Sequence, residues 1–428
     1  MQFVSTRNPD HRVEFGDALT RGLAQDGGLY VPTEWPQSLP AASPEDLPGL
    51  ATQLLAPFLA GSSLAPQLAD IDRAAFNFAA PLVPLGPGAE PRVLELFHGP
   101  TAAFKDFGAR FLAACLTRLP RASGRPLKIL VATSGDTGGA VAAAFHRQPG
   151  IEVAVLFPHG QVSPTQQRQL TCWGDNVRSL AVRGSFDDCQ RLVKQAFGSA
   201  ALRARFELSS ANSINLGRLL PQTVYYWAAS LKVRALSGGA ASFVIPSGNL
   251  GNATACLWAR RLGAPIETIV LAHNANRTVP DYLEQGVLRP RASVATLSSA
   301  MDVGNPSNLE RMTALFPALA DLRASLRAVS IDDAATRARI GADFERFGRI
   351  WCPHSAVAAE AYQRLPPAER ASGRWVLVAT AHPAKFSEII EPVIGAKLAM
   401  PQNLAQLFDR PSSCTQIGAT LDELDRSL

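Results

Sequence analysis

One lysine, Lys105, stands in the run His98-Gly-Pro-Thr-Ala-Ala-Phe-Lys105-Asp-Phe-Gly108, flanked by Phe104 and Phe107. From Phe104 onward apolar residues recur at Phe107, Phe111, Leu112, Cys115, Leu116 and Leu119, the spacing of one apolar helix stripe, with Lys105 beside it in the first turn. An unperturbed lysine holds its proton up to pH ~10.4, so a nucleophile or base near neutrality requires the ammonium to be disfavoured by roughly 4 kcal/mol. Desolvation and the positive end of a helix dipole both act in that sense. The alternative is a stem packed on the helix with its head reaching water. The aromatic flanks favour the reactive amine, as does the scarcity of lysine, six against thirty-five arginines.

Other residues could hold anions. Ser247, Gly248, Asn249, Leu250, Gly251 and Asn252 form a small-residue loop between a strand ending at Pro246 and the helical run Ala253–Leu262. Such a junction offers free N–H groups at a helix start, and its glycines let the backbone approach a phosphate closely; a plain strand-to-helix turn is the other reading. A similar junction, Ser134-Gly-Asp136-Thr137-Gly138, presents donors to a cofactor ring or substrate, or else an Asx-type helix cap. Arg218, with Asn215, opens a long helix and supplies a fork for a second phosphate, unless it forms a surface ion pair. Thr380 ends an apolar strand, and its hydroxyl can meet a ring nitrogen without donating a full charge. His382 beside it reads as structural. Gly99 to Lys105 is no P-loop, because no glycine precedes the lysine and Asp106 follows it; the Gly-x-Gly-x-x-Gly pattern is missing from these junctions too.

The elements that must position these groups alternate. Leu127–Thr133, Glu152–Phe157 and Val177–Val182 read as strands. Between and after them come helices over Gly138–Arg147, over Pro164–Cys172 entered at Ser163, after Ser185 with Asp187 and Asp188 in the first turn, and over Leu219–Val233. The loop Ser237–Ala241 leads to a second set, Ser242–Pro246, Glu267–Ala272 and Trp375–Thr380. This is an α/β protein with two open, mostly parallel sheets flanked by helices. Three sections are expected: 1–93, proline-rich around Pro36–Pro48 and packed on the larger domain; 94–236, a small α/β domain with Lys105 at its edge; and 237–428, a large α/β domain with the phosphate loop.

At 428 residues, 47% hydrophobic and 18% charged, the chain is an ordinary globular protein too long for one core. A net charge of +5 without a run of five like charges speaks against a nucleic-acid surface. The six cysteines form no Cys-x-x-Cys pair and read as buried free thiols. No apolar run suits a membrane span or signal peptide, so a cytoplasmic location with no membrane partner is expected, as a monomer or weak homodimer and without a metal.

The Lys105 run closely resembles the cofactor-lysine motif of the threonine synthases, pyridoxal-phosphate enzymes of fold type II. The resemblance extends in order through Gly22-Leu-Ala-Gln-Asp-Gly-Gly-Leu-Tyr-Val-Pro32, Thr133-Ser-Gly-Asp-Thr-Gly138, Asn212-Ser-Ile-Asn-Leu-Gly-Arg218, Pro246-Ser-Gly-Asn-Leu-Gly-Asn252, Met301-Asp-Val-Gly-Asn-Pro-Ser-Asn308 and Thr380-Ala-His-Pro-Ala-Lys-Phe386. It implies that Lys105 binds pyridoxal 5'-phosphate covalently and moves protons, that the Ser247–Asn252 loop, Asp136 and Thr380 hold the cofactor, and that Thr101, Ser134, Thr137, Asn215 and Arg218 face the substrate. The implied reaction converts O-phospho-L-homoserine and water to L-threonine and phosphate. A dehydratase of serine or threonine, or a phospholyase, would need the same lysine and loop. A cofactor-storing protein without turnover could discard Lys105.

Overall fold

A computed structural model describes residues 1–37, 40, 42–87, 91–120, 124–371 and 373–428. Part of the proline-rich run, residues 38, 39 and 41, lies outside the described residues. Two sheets carry the architecture. The five-stranded sheet is parallel throughout, in the order Thr415–Gly418, Val177–Arg183, Ile151–Pro158, Leu127–Ala132, Glu207–Ser210. The six-stranded sheet runs Arg327–Ser330, Ile266–His273, Ala241–Pro246, Trp375–Ala379, Arg92–Glu95, Leu82–Pro84, with only the last strand antiparallel. The central strands Leu127–Ala132, Ala241–Pro246 and Trp375–Ala379 are buried along their whole length, as parallel strands covered on both faces must be.

The local signals hold. Ser163 accepts from the Gln166 N–H at 3.2 Å and opens the helix Pro164–Thr171; Ser185 does the same for Phe186–Gly198 through Asp188. The long helix does not run unbroken. Leu216–Leu219 and Thr223–Ser237 are separate, joined by a tight turn at Leu220–Gln222, because Pro221 has no N–H to donate and fixes its own backbone.

Both expected section boundaries are crossed. Leu82–Pro84 and Arg92–Glu95 place the end of the N-terminal section inside the six-stranded sheet, and Thr415–Gly418 carries the C-terminal segment back to the five-stranded one. The rest of the first section is a small antiparallel sheet of Arg12–Glu14, Gln2–Ser5 and Tyr30–Pro32, followed by helices Leu47–Leu59 and Leu68–Ala75. These helices pack on Lys105–Arg118 and on Thr223–Ser237, so the section bridges both halves. Five cysteines are buried free thiols, but Cys414 is exposed, since it sits just ahead of the edge strand. No described helix is long and apolar enough to cross a membrane.

Asp72 is fully buried between these N-terminal helices. The Thr52 hydroxyl lies 3.0 Å from both the Pro48 carbonyl and Asp72 Oδ2, yet it has a single hydrogen. The other carboxyl oxygen, Oδ1, is buried without a hydrogen-bond partner. Burial accordingly pushes this carboxyl up to about 8, against the Thr52 hydrogen bond. A carboxyl raised in the folded state stabilises fully below its unfolded pKa of ~4, and the contribution is lost as pH rises through about 8. Asp72→Asn is therefore expected to flatten the fall in Tm between pH ~5 and ~9 and to leave the variant the more stable chain at the alkaline end, by on the order of 2 kcal/mol. Parallel Tm profiles for the two chains would contradict it.

Candidate active site

The two sheets face each other across a cleft, and the strand ends that point into it carry the site. Lys105 begins its helix, and no side chain caps that helix. The segment before it is pinned to the other half of the molecule: Phe104 N–H donates to the Thr380 carbonyl at 2.9 Å and His382 N–H to the Ala102 carbonyl at 3.0 Å. Gly108 lets the lysine helix lie directly on the Arg218 backbone, where a Cβ would stand 2.3 Å from the Arg218 carbonyl oxygen. Gly108→Ala must push Lys105 and Arg218 apart, at a cost of about 1–3 kcal/mol in stability and about 10²-fold in kcat/KM. Thermal melting and steady-state kinetics check both; an unchanged kcat/KM would show that the spacing of the two cations does not matter.

The amine of Lys105 has no hydrogen-bond or ion-pair partner among the described residues. Its one close neighbour is the Phe104 ring, 5.8 Å from Nζ to the centroid. Some of the residue's surface borders the open cleft, but protein surrounds the amine itself. Burial pushes it down to about 8; Asp136 opposes that, while Lys385 and Arg218 add to it.

Across the same cavity lies the Ser247–Asn252 loop. Leu250 adopts a left-handed backbone at φ 63° and delivers the chain into the helix Gly251–Arg261. The N–H groups of Gly248 through Asn252 find no acceptor among the described residues. A Cβ on Gly248 would come within 2.7 Å of the Met301 backbone, so the loop and the Met301–Asn308 segment fit only through glycine. Asn249 ties the cradle together, donating to Ser213 Oγ at 2.7 Å and accepting from the Ser307 N–H at 2.6 Å. Asn252 Oδ1 takes both Tyr225 and Tyr226 hydroxyls, which leaves its Nδ2 buried without a partner.

Arg218 is 2% exposed, lines the cavity and has no carboxylate partner among the described residues. It donates to the Ala211 carbonyl, while its Nε is unsatisfied. Burial pushes it down to about 10, against Asp106, and it remains a cation. A buried guanidinium without an acid is an anion site.

The third wall is the Ser134–Gly138 junction. The alternative of an Asx-type cap by Asp136 is not realised; Thr133 Oγ1 accepts the N–H groups of Gly135 and Gly138 at 2.9 and 2.8 Å. Asp136 is free for another partner, Lys385, at 2.8 Å. Burial alone would raise this carboxyl, but Lys385 and then Lys105 hold it well below the usual carboxylate range. Ser134, Thr137 and Thr380 also line the cavity, and Ser355 Oγ accepts the Thr380 N–H at 3.0 Å.

Two expected contacts are corrected. Thr101 is fully buried behind the site, its hydroxyl donating to Asp106 Oδ1 at 2.7 Å and its N–H to Asp106 Oδ2 at 2.9 Å. Asn215 does not reach the cavity either. It caps the Arg218 helix, donating to the Leu19 and Ser210 carbonyls and accepting from Gly217 N–H, each at 2.9 Å. The Gly22–Pro32 segment braces the site from outside through Tyr30, whose carbonyl accepts from Arg311 Nε at 3.1 Å, while Arg311 also donates to the Ile214 carbonyl.

Sequence reading missed His354. It is buried, lines the cavity, and accepts the Ala300 N–H at Nε2 (3.1 Å), so the proton of the neutral ring sits on Nδ1, which has no partner. Burial pushes it down to about 4, keeping it neutral. Its position in Pro353-His354-Ser355 at a helix start gave no signal.

These features fit an anionic aldehyde cofactor: an unpaired amine, a cradle of unengaged N–H groups at a helix start, and a neutral hydroxyl on the strand between them. Comparison with known proteins agrees. Residues 92–381 match the family model described as "Pyridoxal-phosphate dependent enzyme", residues 2–76 the "Threonine synthase N terminus" and residues 355–427 the "Threonine synthase, C-terminal". The threonine synthase of Escherichia coli is 38% identical over 416 residues, covering 96% of this chain and 95% of that protein. That of Haemophilus influenzae is 40% identical, covering 94% of each. Among solved structures, threonine synthase from Escherichia coli superposes with a TM-score of 0.90 at 36% identity, covering 100% of this chain and 99% of that one. The pyridoxal-phosphate-bound threonine synthase from Brucella melitensis also gives 0.90, at 35% identity, covering 100% and 98%. The chain belongs to the threonine synthase family of pyridoxal-phosphate-dependent enzymes.

Proposed function

We propose that this protein converts O-phospho-L-homoserine and water to L-threonine and phosphate. One observation carries the reading: an unpaired, buried amine shares a single cavity with two separate anion-holding sets, the Gly248–Asn252 N–H cradle and the Arg218 guanidinium. One set suits the cofactor's phosphate and the other the phosphate that the substrate releases.

Pyridoxal phosphate, when bound, supplies an electron sink for charge developing on the substrate's α and β carbons. Lys105 binds it, and once freed by the incoming substrate amine it is a base that takes the Cα proton and moves a proton from Cβ. Its depressed pKa places a useful fraction of neutral amine near pH 7–8. Arg218 holds the substrate's phosphate in register with those protons and steadies the charge as it leaves from Cγ. Thr380 offers the ring nitrogen a neutral hydroxyl, and Ser134 and Thr137 offer donors to the substrate. Water then adds at Cβ.

The test is product identity. Incubated with O-phospho-L-homoserine, the purified protein is expected to release threonine and phosphate in equal amounts; 2-oxobutyrate with phosphate would instead identify a phospholyase.

A further inference from the structure

The site contains a second buried lysine, which the mechanism does not use. Lys385 is 0% exposed and follows Thr380 in the chain by five residues. Its ammonium donates to Asp136 Oδ1 at 2.8 Å and to the Thr101 carbonyl at 2.9 Å. The unit is braced from the neighbouring helix Pro164–Thr171: Gln166 Nε2 donates to the same Asp136 oxygen at 3.0 Å, and Ser163 Oγ donates to the Lys385 carbonyl at 3.1 Å. Gly135 is what admits Gln166, since a Cβ there would stand 2.4 Å from the Gln166 amide. Two lysines thus face one carboxylate, and only Lys385 is bonded to it.

We propose that Lys385 is a positioning residue for the reaction: by engaging Asp136 it prevents that carboxylate from pairing with Lys105, and so decides which of the two buried lysines is the neutral, reactive amine. Asp136, which lines the cavity and is the carboxylate that acts on Lys105, would otherwise draw the Lys105 ammonium and hold its proton. With Lys385 in place the pair is close to neutral as seen from Lys105. Of the other groups facing Lys105, Arg218 from its helix is a like charge that also disfavours the ammonium, and His354 from the helix Pro353–Gln363 is a neutral ring that adds no charge. Asp106, on the lysine's own helix, is occupied by Thr101. The arrangement explains why, of the two lysines that face Asp136, Lys385 is bonded to it and Lys105 is not.

The inference rests on Lys105 being the cofactor lysine. It is tested on the full-length chain, stripped of cofactor and reloaded with pyridoxal phosphate, by the pH dependence of the capture rate followed by borohydride trapping and peptide mapping. Lys385→Gln keeps a donor for Thr101 and Asp136 but removes the charge. Its capture midpoint is expected to rise by at least about one pH unit, making capture about tenfold slower near pH 7, while Lys385→Arg stays near the parent chain. Label on Lys105 with an unmoved midpoint in Lys385→Gln overturns this inference alone. Label elsewhere in the unaltered chain overturns the parent reading and this one with it. Should the variants not fold, carbon-13 labelling of the lysine ε positions in the unaltered, cofactor-free chain decides. Lys105 is expected to reach its neutral position near pH 8, and a Lys105 signal that keeps its ammonium position up to about pH 10 overturns the proposal.

Discussion

Lys105→Ala abolishes both the covalent cofactor adduct and turnover, with activity expected to fall by at least about 10⁴-fold, because base and attachment point vanish together. The measurement is borohydride reduction of the holoprotein with mapping of the labelled peptide, alongside a threonine assay. The rival lysines are already committed. Lys128 is buried under the Phe206 ring and bound to Glu152 at 2.6 Å and to the Leu428 carbonyl at 2.7 Å, and Lys385 is bound to Asp136. Cofactor recovered on either of them would remove the foundation of the mechanism.

Arg218→Ala should lower kcat/KM for O-phospho-L-homoserine by about 10²–10³-fold while the protein still takes up its cofactor, since leaving one charge of a buried pair without its partner costs 2–5 kcal/mol. Arg218→Lys recovers only part of this, because a point charge replaces a planar fork. Cofactor content and substrate kinetics are measured on the same preparation. Loss of cofactor with substrate affinity intact would mean that the two phosphate sites are interchanged.

What could be read in the sequence was whatever is decided within a few residues. Ser163 and Ser185 announce their helices because a cap acts three positions away. The glycines of Ser247–Asn252 announce a close backbone approach, and the β-branched runs announce parallel strands. What escaped is non-local. Asn215 looks like a substrate ligand until its amide is seen to be used up on Leu19 and Ser210. For Asp136 the sequence leaves a cap and a cofactor-facing role both open, until Thr133 takes the capping role and Lys385, far along the chain, takes the carboxylate. His354 carried no signal, because an unpartnered Nδ1 is a property of a cavity and not of a motif. Thr415–Gly418 is short and half polar, and only its neighbour Val177–Arg183 shows where it belongs.

That edge strand bears on how the protein is born. During synthesis the other four strands of the five-stranded sheet leave the ribosome early, whereas Thr415–Gly418 follows only after every strand of the six-stranded sheet has emerged. Until then Val177–Arg183 presents an open row of backbone donors and acceptors, a template for another nascent chain. Chaperone dependence and aggregation during expression should therefore track the arrival of this late strand, and a break in Thr415–Gly418 should harm solubility more than it harms the chemistry of the finished enzyme.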